Sequence, residues 1–330
     1  MEVTVAYYHP FFHGDVVRRD FEQIRAAGAS SIVYAIHEQE ETRYMRDLER
    51  GLHQAHQAGL KVYLSLGRFG NLFAGPTLMP SWYTSRNPQS RVQDRHGCVH
   101  NVSCFNNEPF RTWLFGEIEY YLKEHAIDGV LLDEPRGPDI TCFCSACRAL
   151  CPDITDLPHF RRRSLLEFLG ELYEHVKLVK PEAKTYISLL PQDLSLVDDL
   201  AQLPHLDVVG CHMFWQLLRE DIEVVHEWGQ AVISAAHRHH KRSQLWLQNF
   251  CLDEQEESWL DTSFSALLKA KSDEIGCYYF WRNNAHPEAV WEKTCKLLKQ
   301  IPRRLPNPAT LSHIPALKIP SGESVRSLRH

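Results

Sequence analysis

Four cysteines lie within ten residues near the middle of the chain, in the segment Cys142-Phe-Cys144-Ser-Ala-Cys147-Arg-Ala-Leu-Cys151. The first three follow a C-x-C-x2-C pattern and can reach one tetrahedral ion with little chain strain. Soft thiolates favour zinc over harder cations, and four protein ligands leave no coordination position for water. The spacing therefore predicts a structural metal site, with zinc as the metal. A fourth ligand must come from elsewhere, and the candidates are Cys98, Cys104, Cys151, His96 and His100.

A second chemical feature is a pair of adjacent carboxylates, Asp133 and Glu134, which end the apolar run starting at Ile127. Ionised groups are costly to bury without partners, so an acidic pair at the end of a buried strand points to a functional site. A structural interpretation also exists, in which Asp133 binds a neighbouring backbone group or an arginine, Arg68 or Arg136, and orders a loop.

Short β-branched or aromatic runs alternate with longer segments of helical period, as in repeated βα units. The predicted strands are Val3–His9, Ser31–His37, Lys61–Gly67, Gly129–Asp133, Thr185–Leu190, Leu206–Met213, Gln244–Phe250 and Gly276–Trp281. The predicted helices are Val16–Ala27, Arg43–Ala58, Pro109–His125, Phe160–Lys180, Leu194–Gln202, Asp221–His239, Ser258–Lys271 and Pro287–Gln300.

Eight strands alternating with eight helices predict an α/β protein of the (β/α)8 TIM-barrel type. The alternative is an open doubly wound sheet, which is disfavoured because no Gly-x-Gly-x-x-Gly loop follows any strand. We expect a single barrel domain over residues 1–301 and an extended or partly disordered Pro-rich tail over 302–330. The segment Arg68–Asn107 is too long for a simple connector, and loops of that length are usually functional.

Composition narrows the function classes. The chain has 330 residues, 36 basic and 42 acidic side chains and a net charge of −6, which argues against a nucleic-acid binder. Ten cysteines in 330 residues are far fewer than the roughly 8–10% of a disulfide scaffold. No signal peptide and no transmembrane run are visible, so we expect no membrane association and a cytoplasmic location. A homo-oligomer is compatible with the sequence.

The segment 98–151 resembles glycoside hydrolases of the barrel type, and most closely the family 42 β-galactosidases. In that family an Asn-Glu acid/base ends the fourth strand, and a C-x-C-x2-C zinc cluster follows it, completed by an earlier cysteine. The resemblance implies that Cys104 joins Cys142, Cys144 and Cys147 around a structural Zn²⁺. The run from Asp128 to Glu134 is also similar to glycosyl-hydrolase-like barrels that carry Asp-Gly-x3-Asp followed by another acid.

The chain departs from the family at two points. Family 42 enzymes are about twice as long, and they carry a nucleophilic glutamate after the seventh strand, where this chain has Gln248 and Asn249. β-Galactosidase activity is therefore not carried over. The resemblance implies a barrel whose loops are cross-linked by a structural zinc and that cleaves the glycosidic bond of another neutral sugar or oligosaccharide.

Such a mechanism needs two carboxyl groups across a sugar ring. We expect Glu134 to be the general acid, with Asp133 as its rival or as a nucleophile. Two acids after other strands are candidates for the partner, Asp193 and Glu38, and each is equally a helix-capping or first-turn acid.

Polar and aromatic residues at other strand ends fit a pocket for a neutral polar ligand, because they offer hydrogen bonds to hydroxyls and apolar cover for a sugar face. The candidate substrate-binding residues are Tyr8, His9, His37, Arg68, His212, Trp215, Gln248, Asn249, Trp281, Arg282 and Asn283.

Two other functions compete with a glycoside hydrolase. A non-catalytic sugar-binding barrel is suggested by the missing seventh-strand glutamate. A metal-dependent hydrolase or lyase would need a His-x-His motif after the first strand, which His9-Pro-Phe-Phe-His13 matches poorly.

Overall fold

The computed structural model describes residues 1–8, 14–38, 45–74, 81–136, 141–278, 280 and 284–301. The strands of this part of the chain are β1 (Glu2–Tyr7), β2 (Ser31–Ile36), β3 (Lys61–Leu66), β4 (Arg91–Gln93), β5 (Val99–Ser103), β6 (Gly129–Asp133), β7 (Lys184–Leu189), β8 (Val208–His212), β9 (Arg242–Gln248) and β10 (Glu274–Tyr278).

Eight of these strands form a closed parallel barrel in the order β1-β10-β9-β8-β7-β6-β3-β2. The prediction of a (β/α)8 barrel is therefore confirmed. Both ends of each predicted barrel strand lie within three residues of the observed ends. The strands are buried along nearly their whole length because side chains fill the barrel on one face and helices cover the other.

The helices of the described residues are α1 (Gly14–Ala27), α2 (Met45–Gln57), α3 (Trp82–Arg86), α4 (Glu108–Glu124), α5 (Ser145–Leu150), α6 (Leu157–Val179), α7 (Val197–Ala201), α8 (Trp215–Leu218), α9 (Val224–Arg238), α10 (Glu254–Ser258), α11 (Leu260–Ala270) and α12 (Pro287–Leu298). They bury stripes at three- and four-residue spacing, as α1 does with Val17, Phe21 and Ile24. No helix within the described ranges has both the length and the apolar composition needed to span a membrane.

The long segment after β3 carries structure of its own that the sequence pattern did not reveal. It contains a 3₁₀ turn at Phe69–Asn71, helix α3 and the antiparallel hairpin β4–β5. These elements are three to five residues long, too short to show a helical or strand period. The predicted helix Leu194–Gln202 likewise divides into a 3₁₀ segment, Pro191–Leu196, and α7.

The register of the barrel brings the ends of its central strands to one edge. Asp133 at the end of β6 pairs with Ser188 on β7, and His212 at the end of β8 pairs with Trp246 on β9. Side chains from four different strands therefore meet at the C-terminal end of the barrel, the face that carries the active sites of TIM-barrel enzymes.

Candidate active site and cysteine cluster

The turn that follows β6 separates the two adjacent acids. Glu134 has a φ of 47°, a left-handed conformation that is uncommon for a residue other than glycine and is often found at functional sites. The Asp133 side chain is 2% exposed, whereas that of Glu134 is 18% exposed. Asp133 is thus enclosed by the protein, and Glu134 keeps access to solvent.

Asp133 is held by donors from β8 and from the residue that follows β1. His212 donates from Nε2 to Asp133 Oδ1 at 2.7 Å, and Tyr8 donates its hydroxyl to Oδ2 at 3.1 Å. The Tyr278 hydroxyl in turn donates to that of Tyr8 at 3.0 Å. Burial lowers the pKa of His212, but the Asp133 carboxylate outweighs it and the pKa is raised overall. The neighbouring carboxylate therefore favours the protonated form of the imidazole.

Glu134 lies beside this pair, with Oε1 3.5 Å from His212 Nε2. Burial, followed by the charge of Asp133, raises the pKa of Glu134 to about 7, against the lowering effect of His212 and Arg136. A carboxyl group with this pKa carries its proton for much of the time near neutral pH, as a general acid must.

The two candidate partner acids have different surroundings. Asp193 is half-buried in the 3₁₀ segment after β7, and its charge contributes to the raised pKa of Glu134. Glu38 is buried after β2, where its two oxygens accept the backbone N–H groups of Gly70 at 2.7 Å and Tyr83 at 3.0 Å. These contacts tie Glu38 to the segment that follows β3.

Only some of the predicted substrate-binding residues lie close to Asp133. Tyr8 and His212 belong to the network around Asp133. His37 donates from Nδ1 to the Gly67 carbonyl at 2.9 Å, and the next residue, Arg68, has a φ of 67°. His9, Trp281, Arg282 and Asn283 lie outside the described residues.

The remaining candidates make contacts within the loops and the helical layer. Gln248 accepts from the backbone N–H of Leu217 at 3.2 Å, and the carbonyl of the buried Asn249 accepts from Asn284 at 3.0 Å. Trp215 is buried against Trp259, and its indole N–H donates to Ser263 on α11 at 3.0 Å. The Trp215 ring therefore packs within the helical layer.

Several residues of the site were missed by sequence reasoning. Ser188 Oγ lies 3.2 Å from His212 Nε2, and aromatic rings surround the imidazole at centroid distances of 4.5 Å for Phe214, 4.9 Å for Tyr278 and 5.8 Å for Trp246. Their positions at or near strand ends were a usable signal. Serine and aromatic residues are common in strands, however, and nothing local marks these ones as functional.

The donor atoms of Asp133, Glu134 and His212 lie within 4.8 Å of one another, and oxygen and nitrogen donors of this kind can bind a divalent cation. A metal needs a neutral imidazole nitrogen, whereas Nε2 of His212 already donates to Asp133 and the neighbouring carboxylate favours the protonated ring. The contacts therefore favour an ion pair over a metal centre.

The cysteine cluster is assembled as the spacing and the resemblance suggested. The sulfurs of Cys104, Cys142, Cys144 and Cys147 are buried and lie within 4.8 Å of one another. Cys104 Sγ is 3.5 Å from Cys147 Sγ, close to the separation of about 3.8 Å that Zn–S bonds of about 2.3 Å give in a tetrahedron. None of the four is in a disulfide, and together they could bind a metal.

Among the candidates for the fourth ligand, Cys104 is the one that meets the other three. Cys98 is exposed, and Cys151 donates its S–H to the Asp153 carbonyl at 3.4 Å. Because Cys104 follows β5 and Cys142–Cys147 follow β6, the cluster joins the segments after the third and the fourth barrel strands.

Comparison with solved structures agrees with the barrel fold. The sequence matches no protein-family model and no curated protein. Among solved structures, it is similar to the β-galactosidase of the psychrophilic Marinomonas ef1, with a TM-score of 0.67, 11% identity and 91% of this chain covered. The β-galactosidase of Bacillus circulans sp. alkalophilus gives a TM-score of 0.68 at 12% identity, also over 91% of this chain. The endo-1,4-β-mannanase of Rhizomucor miehei gives 0.64 at 9% identity over 90% of this chain.

The chain spans 59% and 55% of the two β-galactosidases and 94% of the mannanase. At these identities the similarity shows the fold, a closed eight-stranded parallel barrel whose structural neighbours include glycoside hydrolases. It does not by itself carry over their substrates, because one barrel supports many chemistries.

Proposed function

We propose that this chain is a glycoside hydrolase that cleaves a neutral sugar or oligosaccharide by carboxylate acid/base catalysis. The observation that carries the proposal is Glu134, a partly exposed carboxyl at the C-terminal end of the fourth barrel strand whose pKa is raised to about 7. In the reaction, Glu134 gives its proton to the glycosidic oxygen as the bond to the sugar C1 breaks.

Asp193 is the proposed partner carboxylate, because its charge reaches Glu134 and it is half-exposed. It would act as the nucleophile or as the base for water, and the separation of the two carboxyl groups selects between these roles. About 5–5.5 Å gives retention and about 6.5–9.5 Å gives inversion. Glu38 is assigned to ordering the segment after β3, since both of its oxygens accept backbone donors.

Asp133 is proposed to position the site. Its two oxygens are bound by His212 and Tyr8, so whichever oxygen attacked a substrate would first have to give up a hydrogen bond. Its charge helps Glu134 to keep a proton, and its hydrogen bond fixes the His212 ring. Substrate hydroxyls would be bound by the partly exposed Tyr8, His37 and Arg68, together with the predicted His9, Arg282 and Asn283, and Trp281 would cover a sugar face. The predicted His212, Gln248 and Asn249 are buried and would support this pocket through their contacts with other residues.

A panel of aryl glycosides tests this function. We expect Glu134→Gln to lower kcat/KM by about 10²–10⁴, and less for substrates with good leaving groups, which need less protonation. The matched control is Glu288→Gln, an exposed acid on α12. Undiminished turnover in Glu134→Gln would contradict the general-acid role. Sugar binding without turnover in the wild type would favour the non-catalytic alternative.

For the cysteine cluster we propose a structural Zn²⁺. Four thiolates would complete its tetrahedral shell, so that the ion cross-links the loops and leaves catalysis to the carboxylates. Metal analysis should find one zinc per chain, which Cys144→Ser removes and Cys98→Ser, an exposed cysteine outside the cluster, leaves in place. A Cys144→Ser protein that folds normally and loses activity would contradict the structural role.

The domain organisation remains a proposal as well. We propose that residues 1–301 form one catalytic barrel and that 302–330 form an extension outside it. Limited proteolysis should then yield a fragment ending near Ile301 that keeps the activity of the full chain. A fragment that loses its fold would contradict the assignment.

A further inference from the structure

The cysteine cluster has a neighbour that neither the spacing nor the resemblance indicated. Arg161 lies on α6, is 1% exposed and donates from Nη1 to Cys104 Sγ at 3.2 Å. Its guanidinium also lies 3.6 Å from the centroid of the Phe105 ring. The arrangement is unusual for an arginine, because a buried guanidinium is costly unless a negative or strongly polar group compensates it.

A second donor reaches a different sulfur of the cluster. Asn106 Nδ2 donates to Cys147 Sγ at 3.4 Å and to Ser164 Oγ at 3.0 Å. Neutral thiols are weak acceptors, whereas thiolates accept charge-assisted hydrogen bonds well. Two buried N–H donors directed at two sulfurs therefore fit a cluster of thiolates better than a cluster of thiols.

The charge of a loaded site explains the need for Arg161. Four thiolates around Zn²⁺ carry a net charge of −2, and burying that charge in a protein interior is unfavourable. A guanidinium that contacts the cluster reduces the net charge of the site to −1. On the same helix, Arg162 and Arg163 instead pair with the exposed carboxylates of Asp199 and Asp156.

We propose that Arg161 is a positioning residue that compensates the charge of a tetrathiolate zinc site and holds Cys104 as its fourth ligand. Because Arg161 belongs to α6, the site would connect three parts of the chain, the segments after the third and the fourth barrel strands and this helix. The inference rests on the zinc proposed above and is independent of the sugar chemistry.

The test is the rate at which zinc passes from the purified holoprotein to an excess of a chromogenic chelator. Arg161→Met keeps an unbranched apolar side chain against Phe105 but removes the charge, and loss of such a partner is expected to weaken zinc retention by about 10–100-fold. The matched control is Arg163→Met, two residues along α6 and exposed, which should release zinc at the wild-type rate.

Two further variants separate charge from packing. Arg161→Lys keeps the charge and should retain zinc better than Arg161→Met. In a Cys104→His background, where a neutral imidazole replaces one thiolate, the effect of Arg161→Met should shrink, because the site then carries one negative charge fewer and Arg161 has lost the sulfur that it contacts. Cobalt(II) substitution checks the ligands by its sulfur-to-metal absorption in each variant.

Equal zinc release from Arg161→Met and the wild type would overturn the role of Arg161 while leaving the metal in place. Equal losses in Arg161→Met and Arg161→Lys, unchanged by Cys104→His, would assign Arg161 to packing and also overturn the proposal. A wild-type protein that binds no zinc would overturn the zinc site together with this inference, whatever its activity on glycosides.

Discussion

Asp133 and Glu134 are neighbours in sequence, yet their carboxyl groups have different surroundings. The positive φ of Glu134 turns the chain at the strand end, so that one side chain is enclosed by His212 and Tyr8 while the other stays partly exposed. Because their environments differ in this way, Glu134 can act as the proposed general acid while Asp133 positions the site.

The first prediction concerns the pH dependence of turnover. As a general acid, Glu134 is active while protonated, so kcat/KM should fall as the pH rises through about 7, the value to which burial and Asp133 raise its pKa. In the residual activity of Glu134→Gln this alkaline limb should be absent. If the decrease of kcat/KM at alkaline pH persists unchanged in the variant, a group other than Glu134 is responsible for it.

The second prediction uses a neighbouring cation. The charge of Arg136 lowers the pKa of Glu134, so Arg136→Gln should move the alkaline limb of kcat/KM to higher pH. Arg148→Gln, an exposed arginine on α5, is the control and should leave the limb in place. A downward movement in Arg136→Gln would show that the limb does not report Glu134.

At the scale of elements, the segment between β3 and α4 is organised by contacts with the rest of the barrel. Glu38 accepts backbone N–H groups from the 3₁₀ turn at Gly70 and from the first turn of α3 at Tyr83. The cysteine cluster joins the far end of the same segment to the loop after β6. Both ends of a long insertion are thereby fixed next to the barrel mouth.

The third prediction is that Glu38→Gln acts on stability. A glutamine offers one acceptor oxygen where two backbone donors need one each, and a buried unsatisfied donor costs about 1–3 kcal/mol. Urea unfolding should show that loss, with Glu288→Gln as the surface control. A loss of turnover of about 10²-fold or more at unchanged free energy of unfolding would instead support a catalytic carboxylate.

At the scale of the whole molecule, the barrel interior is packed around Trp246. Trp246 on β9 belongs to an interior cluster with Ala6 from β1, Val33 from β2 and Tyr63 from β3. A Cβ at Gly276 on the adjacent β10 would lie 2.2 Å from the Trp246 ring, so glycine is the residue that leaves room for the indole. The same ring lies 5.8 Å from the His212 ring, which couples interior packing to the site.

The fourth prediction compares two glycines. Gly276→Ala should destabilise the fold by about 1–3 kcal/mol or more through overpacking. Gly116→Ala, in the exposed interior of α4 with no atom within 4 Å of the added Cβ, should stabilise it by up to about 1 kcal/mol. Thermal or urea unfolding of both variants measures the difference. Equal effects would show that the barrel relaxes around Trp246.

The barrel could be predicted from the sequence, because hydrophobic periodicity is local and each of the eight strands and most of the helices carries its own pattern. The sequence also placed Asp133 and Glu134 at a strand end, since the strand bounds follow from the same pattern, and it grouped Cys142, Cys144 and Cys147, since ligands a few residues apart meet without help from the fold.

Which distant groups meet is set by the tertiary structure. It joined His212 and Tyr8 to Asp133, occupied Glu38 with backbone donors, and placed Arg161 against the sulfur of Cys104. These contacts depend on barrel register and loop path, which bring residues tens to more than a hundred positions apart within about 3 Å. No local sequence pattern encodes such contacts, so the partners of the acids could be identified only from the closed barrel.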